Sequence, residues 1–120
     1  MYDAHREIKT HARKLSSLRY LLDSGAQLDS SHCYDLSQCA YTGNGGLAEL
    51  LLQYGTDPNC IPGPGQKPVI FFTIEGYEDG EKLIPLLIRH GADPEIKVYD
   101  EARLDSLTPL LYAFHLEKWS

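Results

Sequence analysis

Apolar and polar positions recur along this chain with a helical period. Ala4, Ile8, Ala12, Leu15, Leu18, Leu21 and Leu22 fall three or four residues apart over 3–23 and form one stripe. Arg13 stands where a glycine would break that stripe, so one long helix and two short ones both fit; two are expected. The pattern then predicts a helix over 36–42, a tight turn at Gly43-Asn44-Gly45-Gly46 and a second helix over 47–54. A third pair is expected at 69–75 and 81–90, with Pro85 in the first turn of the latter, where a missing donor is tolerated. Thr108 as N-cap and Pro109 at the first helical position open a last helix over 109–118. Residues 26–33 read as a polar connection, and Ile61-Pro62-Gly63-Pro64-Gly65 cannot be helical.

Three predicted helix ends share one wording: Tyr20-Leu21-Leu22-Asp23-Ser24-Gly25-Ala26, Leu50-Leu51-Leu52-Gln53-Tyr54-Gly55-Thr56 and Leu86-Leu87-Ile88-Arg89-His90-Gly91-Ala92. Their glycines lie 30 and 36 residues apart, the spacing of a stacked repeat. Glycine suits a left-handed C-terminal cap, and Asp57-Pro58-Asn59 and Asp93-Pro94-Glu95 follow as turn-prone exits.

With Thr108-Pro109-Leu110-Leu111 opening the last helix, these segments resemble the ankyrin repeat over about residues 15–117. In that family Thr-Pro-Leu-His-x-Ala-Ala starts an inner helix and Leu-Leu-x-x-Gly-Ala ends an outer one. Tyr34 to Ala40 and Lys67 to Thr73 occupy the first motif's place without its wording. About three extra residues surround Glu78-Asp79-Gly80-Glu81, and about five lengthen the stretch from Val98 to Asp105. The resemblance implies an all-α solenoid of stacked helix-turn-helix units with short β-hairpin or loop fingers. Its units would be an N-terminal cap at 1–29, repeats at 30–60 and 61–96, and a partial repeat at 97–120. The segment 61–65 would then be a hairpin finger. Leu110, Leu111, Ala113 and Phe114 would show an uncovered side, met by further repeats, by a second chain, or by the helix acting as a cap.

Charge narrows the partners. Residues 1–20 hold five Lys/Arg against two acids, and residues 21–120 hold six against fifteen, a body of −9. That balance disfavours nucleic acid and anionic membrane, whose affinity comes from basic contacts to phosphate. No apolar run suits a membrane span and no secretory signal is read, so an intracellular chain, cytoplasmic or nuclear, is expected. Three cysteines, Cys33, Cys39 and Cys60, are an odd count, read as free thiols with Cys39 a small buried residue.

Candidate chemistry is thin. Glu78, Asp79 and Glu81 lack the alternating ligands of a calcium loop, and His32-Cys33 with Cys39 and Cys60 lacks a Cys-x-x-Cys pair for zinc. His90 with Asp93 has no nucleophile beside it. The glycines at 43–46 follow a helix and precede no Lys-Ser/Thr, so they do not read as a phosphate cradle. No cofactor, metal or catalytic set is expected. The ankyrin resemblance also implies Asn59 as a hydroxylation candidate.

The same resemblance implies a protein-binding concave face. It takes Tyr41 and Thr42, Ile74 and Glu75, and His115 and Leu116 from inner helices, with Cys33, Ile61, Gln66 and Lys67 from fingers. The function expected is non-catalytic scaffolding of another protein. The alternatives are an enzyme or small-ligand protein with a pocket at His90, Tyr99 or His115, or a segment of a longer protein.

Overall fold

The computed structural model describes residues 15–101 and 105–119. Helix α1 covers 15–23, and α2 (His32–Thr42) and α3 (Gly45–Gln53) follow as a pair. Next come α4 (Val69–Glu75), a 3₁₀ segment (Glu78–Leu83) and α5 (Ile84–Arg89). Strands β1 (Val98–Asp100) and β2 (Asp105–Leu107) form an antiparallel ladder pairing Val98 with Leu107, and α6 (Pro109–Trp119) closes the order. The described residues are mostly helical with one small two-stranded sheet. The reading of 3–23 as two helices rests largely on residues outside those described.

The three leucine-rich helix ends fold alike. Ala26, Thr56 and Ala92 donate their amides to the carbonyls of Leu21, Leu51 and Leu87 at 3.1, 3.0 and 2.9 Å. The preceding glycines donate to Leu22, Leu52 and Ile88, completing the paired bonds that close a helix at a left-handed residue. Gly25, Gly55 and Gly91 have φ of 108, 102 and 102°, which side chains with a Cβ rarely adopt.

The turns beyond them also match. Asp29, Asp57 and Asp93 each accept the amide two residues on at 2.9 Å. The Asn59 side chain then ties the second turn to the third, donating to the Gly91 carbonyl at 2.9 Å and accepting the Asp93 amide at 2.7 Å. Asn59 therefore has a structural task.

Packing runs through the first helix of each pair: α2 lies against α3 and α4, and α4 also against α6. Leu36, Ala40, Ala48, Val69, Phe71 and Leu87 are fully buried between them. Burying a side chain of the size of Phe71 contributes about 1.5–3 kcal/mol. Ser37 and Thr73 are buried too, and each hydroxyl is satisfied by a carbonyl three residues back, Tyr34 and Ile70, at 2.6 Å.

Four expectations need correction. Helix α2 starts at His32, four residues before the apolar stripe, on turns donating to Asp29 and Ser30 carbonyls. The helix expected over 81–90 divides into the 3₁₀ segment and α5. Pro85, lacking an N–H, cannot bond back to Glu81 in a continuous α-helix and instead sits in the first turn of α5. The segment 61–65 is no β-hairpin, because Pro62 and Pro64 offer no ladder donors; it loops between the Val69 amide bonded to Cys60 and a Gly63–Gln66 turn. The hairpin forms instead at 98–107.

The fourth correction concerns thiols. Cys33 and Cys60 form a disulfide across a separation of 27 residues, with Cα atoms 6.1 Å apart, while Cys39 is free and buried. The cysteine-based part of the intracellular expectation falls with those two thiols.

Candidate interaction surface

The residues expected on one face divide among three clefts. Gln66, Lys67 and His115 line a cleft of about 630 Å³ with Tyr99 and Tyr112, floored by the β-hairpin. Ile74 and Leu116 line a groove of about 390 Å³ between the Gly76–Ile84 stretch and α6. Ile61 borders a third cleft of about 420 Å³, where Cys33 is walled in by its disulfide. Cys33 is only 7% exposed, so its expected place at a finger contact is corrected: its sulfur is spent on Cys60.

Glu75 sits between the first two clefts and is engaged by the protein itself. The Tyr112 hydroxyl donates to its carboxylate, and Lys67 Nζ lies 3.9 Å from Oε1 and 5.2 Å from the centre of the Tyr112 ring. Burial, then the Glu75 bond and charge, hold the Tyr112 phenol above its ordinary range, so it stays neutral. The Lys67–Tyr112–Glu75 set thus fastens the loop before α4 to α6, and Phe71 stacks tilted on Tyr112 at 5.5 Å from below.

At the other end of α4 the backbone does the fastening. Tyr77 donates its amide to the Tyr41 carbonyl at 2.8 Å, and their rings meet edge to face at 5.5 Å. A Cβ at Gly76 would fall 2.1 Å from that same carbonyl oxygen, so only glycine fits there. Tyr41 is partly exposed and Thr42 exposed, its hydroxyl bonded to the Gln38 carbonyl. Tyr77, 66% exposed on the rim of the groove, was missed in the sequence; the glycine before it was the available signal.

Helix α6 carries the largest apolar exposure. Leu110 and Phe114 are 63% and 67% exposed, and Leu111 and Leu116 are also open. This is the uncovered side expected for Leu110, Leu111 and Phe114, while Ala113 turns into the groove. Such a patch marks an interaction site more often than a scattered apolar residue does.

Catalytic arrangements find little support in the geometry. His90 caps α5, exposed, and does not line the cleft that holds Tyr99 and His115. Burial, with the Asp35 charge adding to it, pushes the Cys39 thiol up to about 12, away from nucleophilic use. Among the described residues no His, Cys, Asp or Glu side chains gather in a metal-holding group of three, and no helix is long and apolar enough to cross a membrane. Comparison of the chain with protein-family models, curated proteins and solved structures finds no match.

Proposed function

We propose that this chain is a non-catalytic scaffold of the ankyrin type, which holds another protein on the surface built by α4, α6 and the loops before them. The fold reading is supported by the three matched helix ends and aspartate turns, the Asn59 tie, and contacts running from α2 to α4 to α6. The radius of gyration supports it too: 15.7 Å, against about 13 Å for a compact globule of this size. The binding reading rests on one observation, the open apolar side chains of α6 beside the Ile74–Leu116 groove.

Affinity capture with the full chain and a Tyr77→Ser/Leu116→Ser variant tests it. Both side chains are exposed, so the thermal melt should move little while the partner is lost. Tyr34→Ser, at another exposed tyrosine on α2, should leave capture intact. A partner retained by the double variant at wild-type level would refute this surface.

A second reading is a small-ligand site in the 630 Å³ cleft, favoured by Tyr99, Tyr112 and His115 lining it together. That cleft is open to solvent on the hairpin side, with Tyr99 65% exposed, which favours a peptide over an enclosed ligand.

A further inference from the structure

The groove between the Gly76–Ile84 stretch and α6 is unusual in its chemistry. Its floor is apolar, made by Ile74, Ile84, Ala113 and Leu116, with the Tyr77 ring at one edge. Its charged lining is entirely anionic: Glu78 and Glu81 stand on the 3₁₀ side and Glu117 on α6. No Lys, Arg or His lines it. The cation nearest along the chain, Lys82, is held at 3.0 Å by Asp79, which raises the Lys82 pKa through that hydrogen bond and charge.

We propose that this groove seats a basic amphipathic segment of a partner protein, with apolar side chains on the floor and Lys or Arg against Glu78, Glu81 and Glu117. The proposal rests on the scaffold reading above and adds the chemistry of what is scaffolded. Charge complementarity selects the occupant. An acidic or phosphate-bearing partner would meet three carboxylates without a compensating cation. A purely polar basic segment would leave Ile74, Ile84 and Leu116 in contact with water. A segment with both features satisfies the floor and the rim together, as amphipathic helices do in hydrophobic grooves.

The test uses fluorescence anisotropy on the full chain. The probes are three labelled 16-residue peptides sharing one helical pattern: Leu with Lys, Leu with Glu, and Ser with Lys. The Leu/Lys peptide is expected to bind at least about tenfold more tightly than either control and to weaken as salt shortens the screening length from about 10 to 3 Å. Glu78→Gln/Glu81→Gln should weaken it about three- to tenfold, from two surface charge pairs of the usual strength. Leu116→Ser should weaken it as well, and Asp35→Gln/Glu49→Gln, at exposed acids elsewhere, should not.

Equal binding of Leu/Lys and Leu/Glu peptides, or of Leu/Lys and Ser/Lys peptides, would overturn the proposal. So would equal losses from the groove and control substitutions, which would mean diffuse attraction to an acidic surface. Self-association abolished by Glu78→Gln/Glu81→Gln would assign the groove to a second copy and overturn it likewise. A neutral or acidic partner captured natively and lost with Tyr77→Ser/Leu116→Ser would sink the charge argument while leaving the scaffold standing.

Discussion

Reducing the Cys33–Cys60 bond is the perturbation whose size the structure sets most directly. The bond closes a chain loop of 27 residues running from the first turn of α2, through α3, into the Pro/Gly loop. Closing such a loop lowers the entropy of the unfolded chain by about 12 cal/mol/K, which is about 3.5 kcal/mol at room temperature. A domain of this size has roughly 5–15 kcal/mol in total, so one bond accounts for a large share. The expected loss in melting temperature is roughly 10–15 °C.

The loss has a definite location. Cys60 also accepts the Val69 amide, which starts α4, and it lies one residue from Ile61 in the cleft beside α2. Breaking the bond should therefore loosen 56–68 before it loosens the α2–α4 core. The assay is urea unfolding of the oxidised chain, the chain held in a dithiol reductant, and Cys33→Ala/Cys60→Ala. Reductant should shift the wild-type midpoint and leave the double variant where it was. Thiol titration of the denatured oxidised chain should count one thiol, Cys39. Three thiols after equilibration in an oxidising glutathione buffer, or a midpoint indifferent to reductant, would refute the reasoning.

Three further outcomes follow from single side chains. Asn59→Ala removes two hydrogen bonds between neighbouring turns, 2.9 and 2.7 Å long, and should cost about 2 kcal/mol in urea unfolding with an unchanged slope. The Thr56 hydroxyl is buried and unpartnered, so Thr56→Val should raise stability by about 1 kcal/mol in the same measurement; a loss would mean a hidden partner. Cys39 is raised from 9.0 to about 12 by burial and then Asp35, so the folded chain holds that proton more tightly than the unfolded one. Its contribution is intact below about pH 9 and is lost as pH climbs towards 12, so the midpoint should fall more steeply there for the wild type than for Cys39→Ala. Maleimide should leave native Cys39 unlabelled at pH 8 and label it in denaturant.

Which parts of this structure were legible in the sequence depends on the range of the interactions that make them. The helix ends were legible because a Schellman closure is local: leucines, two spacers and a glycine carry all of it, and all three closed as read. The Thr108 cap and Pro109 start are equally local, and Thr108 Oγ1 accepts the Leu111 amide at 3.2 Å. The disulfide was not legible, since bonding Cys33 to Cys60 requires α2 and α3 to fold back on each other first. The hairpin was placed at 61–65 by analogy of position. Two prolines forbid a ladder there, while Val98 and Leu107, unremarkable in sequence, find each other across the longer loop.

The interaction surface shows the same limit at its sharpest. Glu78, Asp79 and Glu81 read in sequence as a solvated acidic loop, and Lys82 beside them as ordinary charge balance. Only when the Tyr77 amide docks on the Tyr41 carbonyl does that stretch swing against the end of α4. Packing of α6 on α4 then brings Leu116 and Glu117 to its other side. Asp79 takes up Lys82, and two carboxylates are left facing a third over an apolar floor. The groove thus owes its charge to one ion pair and its existence to Gly76: with a Cβ there the Tyr41 carbonyl would be displaced and the rim would part from its floor. Gly76→Ala should therefore cost both stability and Leu/Lys peptide binding, whereas Gly55→Ala, strained in φ but with nothing within 4 Å of the added carbon, should cost stability alone.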